Sequence, residues 1–353
     1  MHFGLLGIFQ NYQGRETDED LIAGEMALAK LAETKGFDSY WAVEHHFFDY
    51  SLCPDNMQWL AQVASETERI QLATGAVIMP WNDPYRVAAK MALLDQQSGG
   101  RAMIGFGRGL SKREYAGFNL SMDEARGRFD EGTALVLEAL NKGFYEAETE
   151  YFSRPRVELR PRPTRAFSDR AYAIGVSPES ATQAAVLGAR LMVLAQQPWE
   201  VFKQNAWTPF LEKWDSLRDR PAPPPMCGML IYVDEDGDKA REKGTQFVKE
   251  YYMTVVEHYE IGGSHFKDTK GYEYYGNAAE AISAMGLEAM ADMYASVNVF
   301  GTPAEVAEQL RDQKAILGVD HDVLAMVKYG SLSQEEAVKS ASLFAEKVIP
   351  AFR

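Results

Sequence analysis

Glu44-His45-His46 is the run of side chains best suited to moving a proton in this sequence. Histidine titrates near neutral pH, and the apolar run Ser39-Tyr40-Trp41-Ala42-Val43 before it reads as a strand that presents these residues at its C-terminal end. Successive residues on an extended segment face opposite ways, so one of the two histidines reaches a ligand. A metal reading has little support. His2, His258, His265 and His321 show no HExxH or comparable ligand spacing, and no metal is expected.

A second group is Gly105-Phe106-Gly107-Arg108-Gly109-Leu110, where glycines permit a tight turn and arginine can clamp a phosphate. It is not a dinucleotide fingerprint: Leu110 stands where a third glycine belongs, and the next helix reads as beginning only near Ser121. Gly175-Val176-Ser177-Pro178, between a strand and a helix, can offer N-H groups and a hydroxyl to an anion, although alone it reads better as a Ser-Pro helix cap. Arg126 lies on the helix after Ser121, where a solvated charge is the plain reading. Arg154, Arg156, Arg160, Arg162, Arg165 and Arg170 are interleaved only by Phe152 and Phe167, which suits a solvated or interface loop better than a nucleic-acid groove. There is no GxSxG elbow and no recognisable Cys-His pairing.

Positioning these groups requires a scaffold of strands whose C-terminal ends converge. Apolar runs at 3–6, 39–43, 71–78, 102–106, 171–175, 190–194, 228–233 and 322–327 read as eight strands separated by helical patterns. Thr17 with Asp20, Ser121 with Glu124, Thr302 with Glu305 and Ser333 with Glu336 read as capping boxes, while Gly36 and Gly318 suit C-terminal caps. The fold expected is α/β, a single (β/α)8 TIM-like barrel over residues 1–353. Residues 143–170 read as a long connection. Residues 234–300, between strands 7 and 8, read as an insertion at the catalytic face, a lid or substrate wall with a helix over 239–259, a Tyr-rich stretch and a Met/Ala-rich helix over 278–293.

The bulk properties agree. A chain of 353 residues allows two domains or one large barrel. With 36 basic against 51 acidic side chains, the net charge of -15 argues against nucleic acid or an anionic membrane as partner. Two distant cysteines, no secretory leader and no run of 18 apolar residues suggest a cytoplasmic protein. The helix over 84–97 is apolar nearly all round, which suggests a homodimer built on it and on the helix over 56–66.

In order along the chain, Met1-His2-Phe3-Gly4, Gly36-Phe37-Asp38, Trp41-Ala42-Val43-Glu44-His45-His46-Phe47, Thr74-Gly75-Ala76-Val77-Ile78-Met79-Pro80, Leu94-Asp95-Gln96, Ser98-Gly99-Gly100-Arg101, Gly107-Arg108-Gly109-Leu110, Val299-Phe300-Gly301-Thr302-Pro303 and 343–350 resemble the flavin-dependent monooxygenases of the bacterial luciferase-like family. The likeness implies a barrel, often dimeric, that takes FMN as FMNH2 from a separate reductase. With O2 as co-substrate it would insert one oxygen atom into an apolar organic substrate, an aldehyde, a ketone or an unsaturated carbon, through a C4a-hydroperoxyflavin. It makes His45 the catalytic histidine, with Glu44 orienting it or bonding the flavin. Gly75-Ala76 becomes a non-prolyl cis peptide under the flavin ring, Arg108 and Arg126 the phosphate arginines beside Leu110, and Gly175, Val176 and Ser177 the phosphate loop. Trp41, Phe9, Trp81 and the Tyr-rich stretch are candidates for the pocket wall. Gly107 stands where light-emitting members keep a reactive cysteine, and Val176 where they keep an acid, which argues against luminescence. The superfamily also implies two alternatives, an F420-dependent hydride-transfer enzyme and a flavin-binding partner subunit without turnover.

Overall fold

The computed structural model describes residues 1–261, 263, 265–269, 271–272, 276 and 284–353. Eight strands carry the fold: β1 (Phe3–Gly7), β2 (Ser39–Ala42), β3 (Gln71–Thr74), β4 (Ala102–Gly107), β5 (Ala171–Ile174), β6 (Arg190–Leu194), β7 (Met226–Val233) and β8 (Asp322–Met326). Each pairs in parallel with the next, and β8 returns to β1 with Val323 opposite Phe3, so the sheet closes into the expected barrel. Every residue of β1, β2, β4, β7 and β8 is buried. Covering on both faces makes each strand a continuous apolar run, which is why all eight are legible.

Helices α1 (Asp18–Lys35), α2 (Asn56–Ser65), α3 (Pro84–Gln97), α4 (Lys112–Gly117), α5 (Ala125–Lys142), α6 (Pro178–Leu187), α7 (Thr208–Leu217), α8 (Gly237–Tyr259), α9 (Leu287–Ser296), α10 (Pro303–Leu317) and α11 (Gln334–Leu343) surround the barrel. Thr302–Glu305 and Ser333–Glu336 form full capping boxes. Gly36 and Gly318 end α1 and α10 in the left-handed conformation, at φ 84° and 74°. Thr17 caps α1 through Asp20 N, whereas Ser121 caps only a short turn ahead of α5.

One indole occupies much of the barrel interior. Trp41 is fully buried, donates through Nε1 to Ser39 Oγ at 2.7 Å and meets the Tyr172 ring edge-on at 4.9 Å. A Cβ added at Gly4, Gly75 or Gly105 would stand 3.0–3.3 Å from that indole, and at Gly105 only 2.3 Å from Thr74 O.

Three regions refine the expectations. The connection over 143–170 contains an antiparallel hairpin, Phe144–Glu148 with Ser153–Glu158, and its arginines are mostly spent on neighbouring carboxylates. Arg170 differs: it is buried, with Nη1 2.6 Å from the equally buried Asp95. Between β7 and β8 the chain forms α8, α9, a short strand Val299–Gly301 that pairs with β7, and α10. Of the helix expected over 278–293, residues 278–283 lie outside the described residues, and 287–293 are helical as part of α9. On α3, Met91 is buried within the single chain and Leu93 is the exposed apolar residue, so Met91 offers nothing to a partner. Among the described residues no helix is long and apolar enough to cross a membrane.

Candidate active site

The C-terminal ends of the strands open into a cavity walled by residues that follow β2, β3, β4, β5 and β6. That is the face where loops on a parallel barrel gather functional groups. Below it, Gly75-Ala76 is joined by a cis peptide bond, as the family resemblance implies. Asn56, buried at the start of α2, donates through Nδ2 to Ala42 O at 3.3 Å and Ala76 O at 3.1 Å, tying the ends of β2 and β3 together.

The two histidines after β2 diverge, as alternation requires. His45 lines the cavity; His46 turns to Glu44, with Nε2 3.2 Å from Oε1, and packs edge-on against Phe118 at 4.7 Å. Glu44 does not orient His45. Its carboxylate is filled by Trp81 Nε1 at 2.7 Å, Asn82 Nδ2 at 2.9 Å, the Ile78 amide at 3.0 Å and His46, so it fastens the 78–82 loop. Three of these contacts converge on Oε1 and one on Oε2, so the buried carboxylate is held in the loop rather than turned to His45.

The residue that orients His45 is Glu114, on α4. Its Oε1 lies 3.1 Å from His45 Nδ1 and accepts the His46 amide at 2.7 Å, while Oε2 stands 3.7 Å from His258 Nε2 on α8. Burial opposes the charge of Glu114, yet His45 and His258 together hold its carboxyl well below the usual range. An ionised carboxylate only accepts, so the His45 proton sits on Nδ1 and Nε2 is left as the working nitrogen. Tyr50 stacks on His258 at 4.1 Å and 7°, and its hydroxyl meets that of Tyr251 at 3.1 Å. Burial, the largest influence on His258, lowers its pKa despite Glu114.

The opposite end of the cavity is cationic. Arg108, after β4, has its guanidinium 4.1 Å over the Tyr272 ring, and its buried Nη1 has no hydrogen-bond partner among the described residues. Tyr272 donates to Gly109 O at 2.7 Å and Tyr115 to Arg108 O at 2.6 Å, so the late segment of the chain clasps the Gly107-Arg108-Gly109 loop. Arg126 lies behind Arg108: burial first, then the charge of Arg108, lowers its pKa, and Nη2 is 2.9 Å from Glu179. Burial also pushes Asp130, 3.8 Å from Arg126, up to about 6. At the start of α6 the wall is Val176 and Ser180. Gly175 packs on the α6 backbone, and Ser177 spends its hydroxyl capping Ser180 N.

Leu110 and Trp81 line the cavity, while Trp41 and Phe9 belong to the core; Tyr274 and Tyr275 lie outside the described residues. Sequence reasoning missed Glu114, His258, Tyr50, Tyr259 and Ser180. One local signal existed, since Ser111-Lys112-Arg113-Glu114 has the S-x-x-E pattern, and Ser111 does cap α4 through Glu114 N.

Residues 1–321 match the family described as luciferase-like monooxygenase. The chain is 25% identical over 333 residues to an alkanal monooxygenase alpha chain of Photorhabdus luminescens, covering 92% of this chain and 89% of that one. Its fold superposes on monooxygenase RslO1 from Streptomyces bottropensis with a TM-score of 0.81 and 27% identity over the whole of both chains. The oxygenating constituent of 3,6-diketocamphane monooxygenase from a Pseudomonas putida plasmid, a type II Baeyer-Villiger enzyme in complex with FMN, shares the fold at 0.76 and 16%, covering 99% and 98%. An F420-dependent secondary alcohol dehydrogenase shares it at 0.72 and 20%, covering 100% and 99%.

Proposed function

The chain belongs to the luciferase-like monooxygenase family, and from that premise we propose that it holds reduced FMN in the cavity and transfers one atom of O2 to an apolar organic substrate. The observation that supports this most is the pairing, in one cavity, of a cationic end at Arg108, with Arg126 behind it, and the His45–Glu114 pair. The unpartnered Arg108 Nη1, the α6 N-terminus and the Ser180 hydroxyl suit a phosphate, and Ala76 with the glycines at 75, 107 and 109 leaves room for a flat ring system. The flavin, when bound, supplies the two electrons that let O2 give one atom to the substrate and leave the other as water.

What the chain's own residues do follows from their positions. Glu114 keeps the Nδ1 proton of His45 in place, so Nε2 takes and returns a proton at the cavity surface. Ile8, Val43, Ile78, Leu194 and Met326 exclude water and favour an aldehyde, a ketone or an unsaturated carbon over a charged substrate. The Tyr272 clasp is read as part of a lid over 234–300. Reduced flavin is read as arriving from a separate reductase, and the working unit as a homodimer in which Leu93 of α3 faces the partner.

The test is oxygen uptake with chemically reduced FMN and a panel of long-chain aldehydes, cyclic ketones and unsaturated hydrocarbons. Uptake matched by one oxygen atom in the product is the expected result. Substrate turnover with reduced F420 and no oxygen demand would overturn the reading, as would flavin binding without turnover of any panel member.

A further inference from the structure

We propose that His45, Glu114 and His258 form a binding site for a divalent transition-metal ion, Zn2+ as its representative, and that the bound ion silences the enzyme. One nitrogen or oxygen from each residue lies within 4.8 Å of those of the other two, with the closest pairs at 3.1 and 3.7 Å. Ligands at roughly 2.0–2.2 Å around tetrahedral zinc stand about 3.3 Å from one another, so small side-chain adjustments close the set on an ion. Two imidazoles and one carboxylate are the donors of zinc sites that keep a fourth position open, and imidazole serves nickel and ferrous iron as well.

His258 points to the site most directly. Its side chain is 3% exposed, and Nε2 stands too far from Glu114 for a hydrogen bond and has none among the described residues. A buried nitrogen that faces a carboxylate across 3.7 Å, with no hydrogen bond among the described residues, has the spacing of two ligands on one ion. The surroundings hold the ligands still: Tyr50 stacks on the His258 ring, and the His46 amide fixes Glu114 Oε1. His45 and Glu114 both line the cavity, which gives the ion a path and places its open position there. The sequence hides this site because the three ligands come from the β2 loop, α4 and α8, the first two alone standing 69 positions apart.

Binding rests on this geometry alone; the silencing clause rests on the proton role given to His45. Chelator-treated, flavin-free protein titrated calorimetrically with Zn2+ alone should take up one ion per chain. Loss of a ligand should cost at least the roughly 100-fold that loss of an outer partner can cost, so Glu114→Gln and His258→Gln should each weaken uptake by about that factor. His258→Gln keeps much of the ring's volume, and far-ultraviolet circular dichroism shows whether each variant is folded. Absence of saturable uptake, or uptake unchanged in both folded variants, would overturn the proposal. Zinc should abolish oxygen uptake and chelator should restore it. An active enzyme that takes up no zinc defeats this inference and spares the monooxygenase reading; a zinc-binding chain inactive with every substrate does the reverse.

Discussion

His45 Nδ1 and Glu114 Oε1 lie 3.1 Å apart, joining the loop after β2 to the short helix after β4. The carboxylate is charged and nearly inaccessible, so it determines which nitrogen of His45 is free. Glu114→Gln retains the acceptor for the His46 amide while removing the charge. kcat should fall by about 100-fold, the lower end of what a positioned acid-base group contributes, with KM little changed. Steady-state oxygen uptake with chemically supplied reduced FMN measures both; an unchanged kcat would show that the Glu114 charge does not act through His45.

Arg108→Met keeps the stem and removes the charge, and the loop stays clasped because Tyr115 and Tyr272 hold main-chain oxygens. Charge-assisted hydrogen bonds contribute about 1.5–3 kcal/mol, so reduced FMN should bind roughly 10- to 100-fold more weakly. Riboflavin, which lacks the phosphate, should bind both proteins alike in anaerobic titration. Equal losses for the two flavins would place Arg108 elsewhere on the ligand.

The scaffold was legible where its causes are local. Each barrel strand is buried on both faces and so spells a continuous apolar run; Thr302 with Glu305 and Ser333 with Glu336 announce helix starts within four residues. The site was legible only in part. His45, Arg108 and the Gly75-Ala76 peptide came from the strand-end motifs and the family likeness. Glu114 sits on a six-residue helix too short to show a period, and His258 on a long helix among many polar residues. Glu44 adjoins His45 in the chain, yet alternation turns it toward Trp81 and Asn82, a pairing that only the folded loop reveals.

Asp95 and Arg170 offer a test of the support behind the site. Both are buried, and Asp95 also accepts the Thr164 amide at 2.7 Å and its hydroxyl at 2.6 Å, which ties the segment before β5 to α3. Asp95→Ala strands the guanidinium in the core and should cost about 3–5 kcal/mol, read by urea unfolding at neutral pH. A loss below about 1 kcal/mol would mean that water reaches Arg170.

Glu25 carries a pH dependence of the fold. Burial raises its pKa from 4.5 to about 7, against the opposing hydrogen bond from the Phe9 amide at 3.0 Å. A raised carboxyl favours the folded state while protonated, so its contribution is complete below about pH 4.5 and is lost as pH rises through 7. The loss above that window amounts to about 3 kcal/mol. Glu25→Gln, which still accepts from Phe9, should match the wild type at pH 4.5 and exceed it in thermal stability at pH 8. Parallel melting profiles across that range would contradict the assignment.

Trp41 and the glycines at 4, 75 and 105 share one volume inside the barrel. A methyl group at any of the three presses on the indole, and a smaller ring at 41 leaves a void that those glycines cannot fill. These four positions are therefore coupled: while the tryptophan stands, each of the three glycines has to stay bare, and at Gly105 the Thr74 main-chain oxygen demands the same on its own.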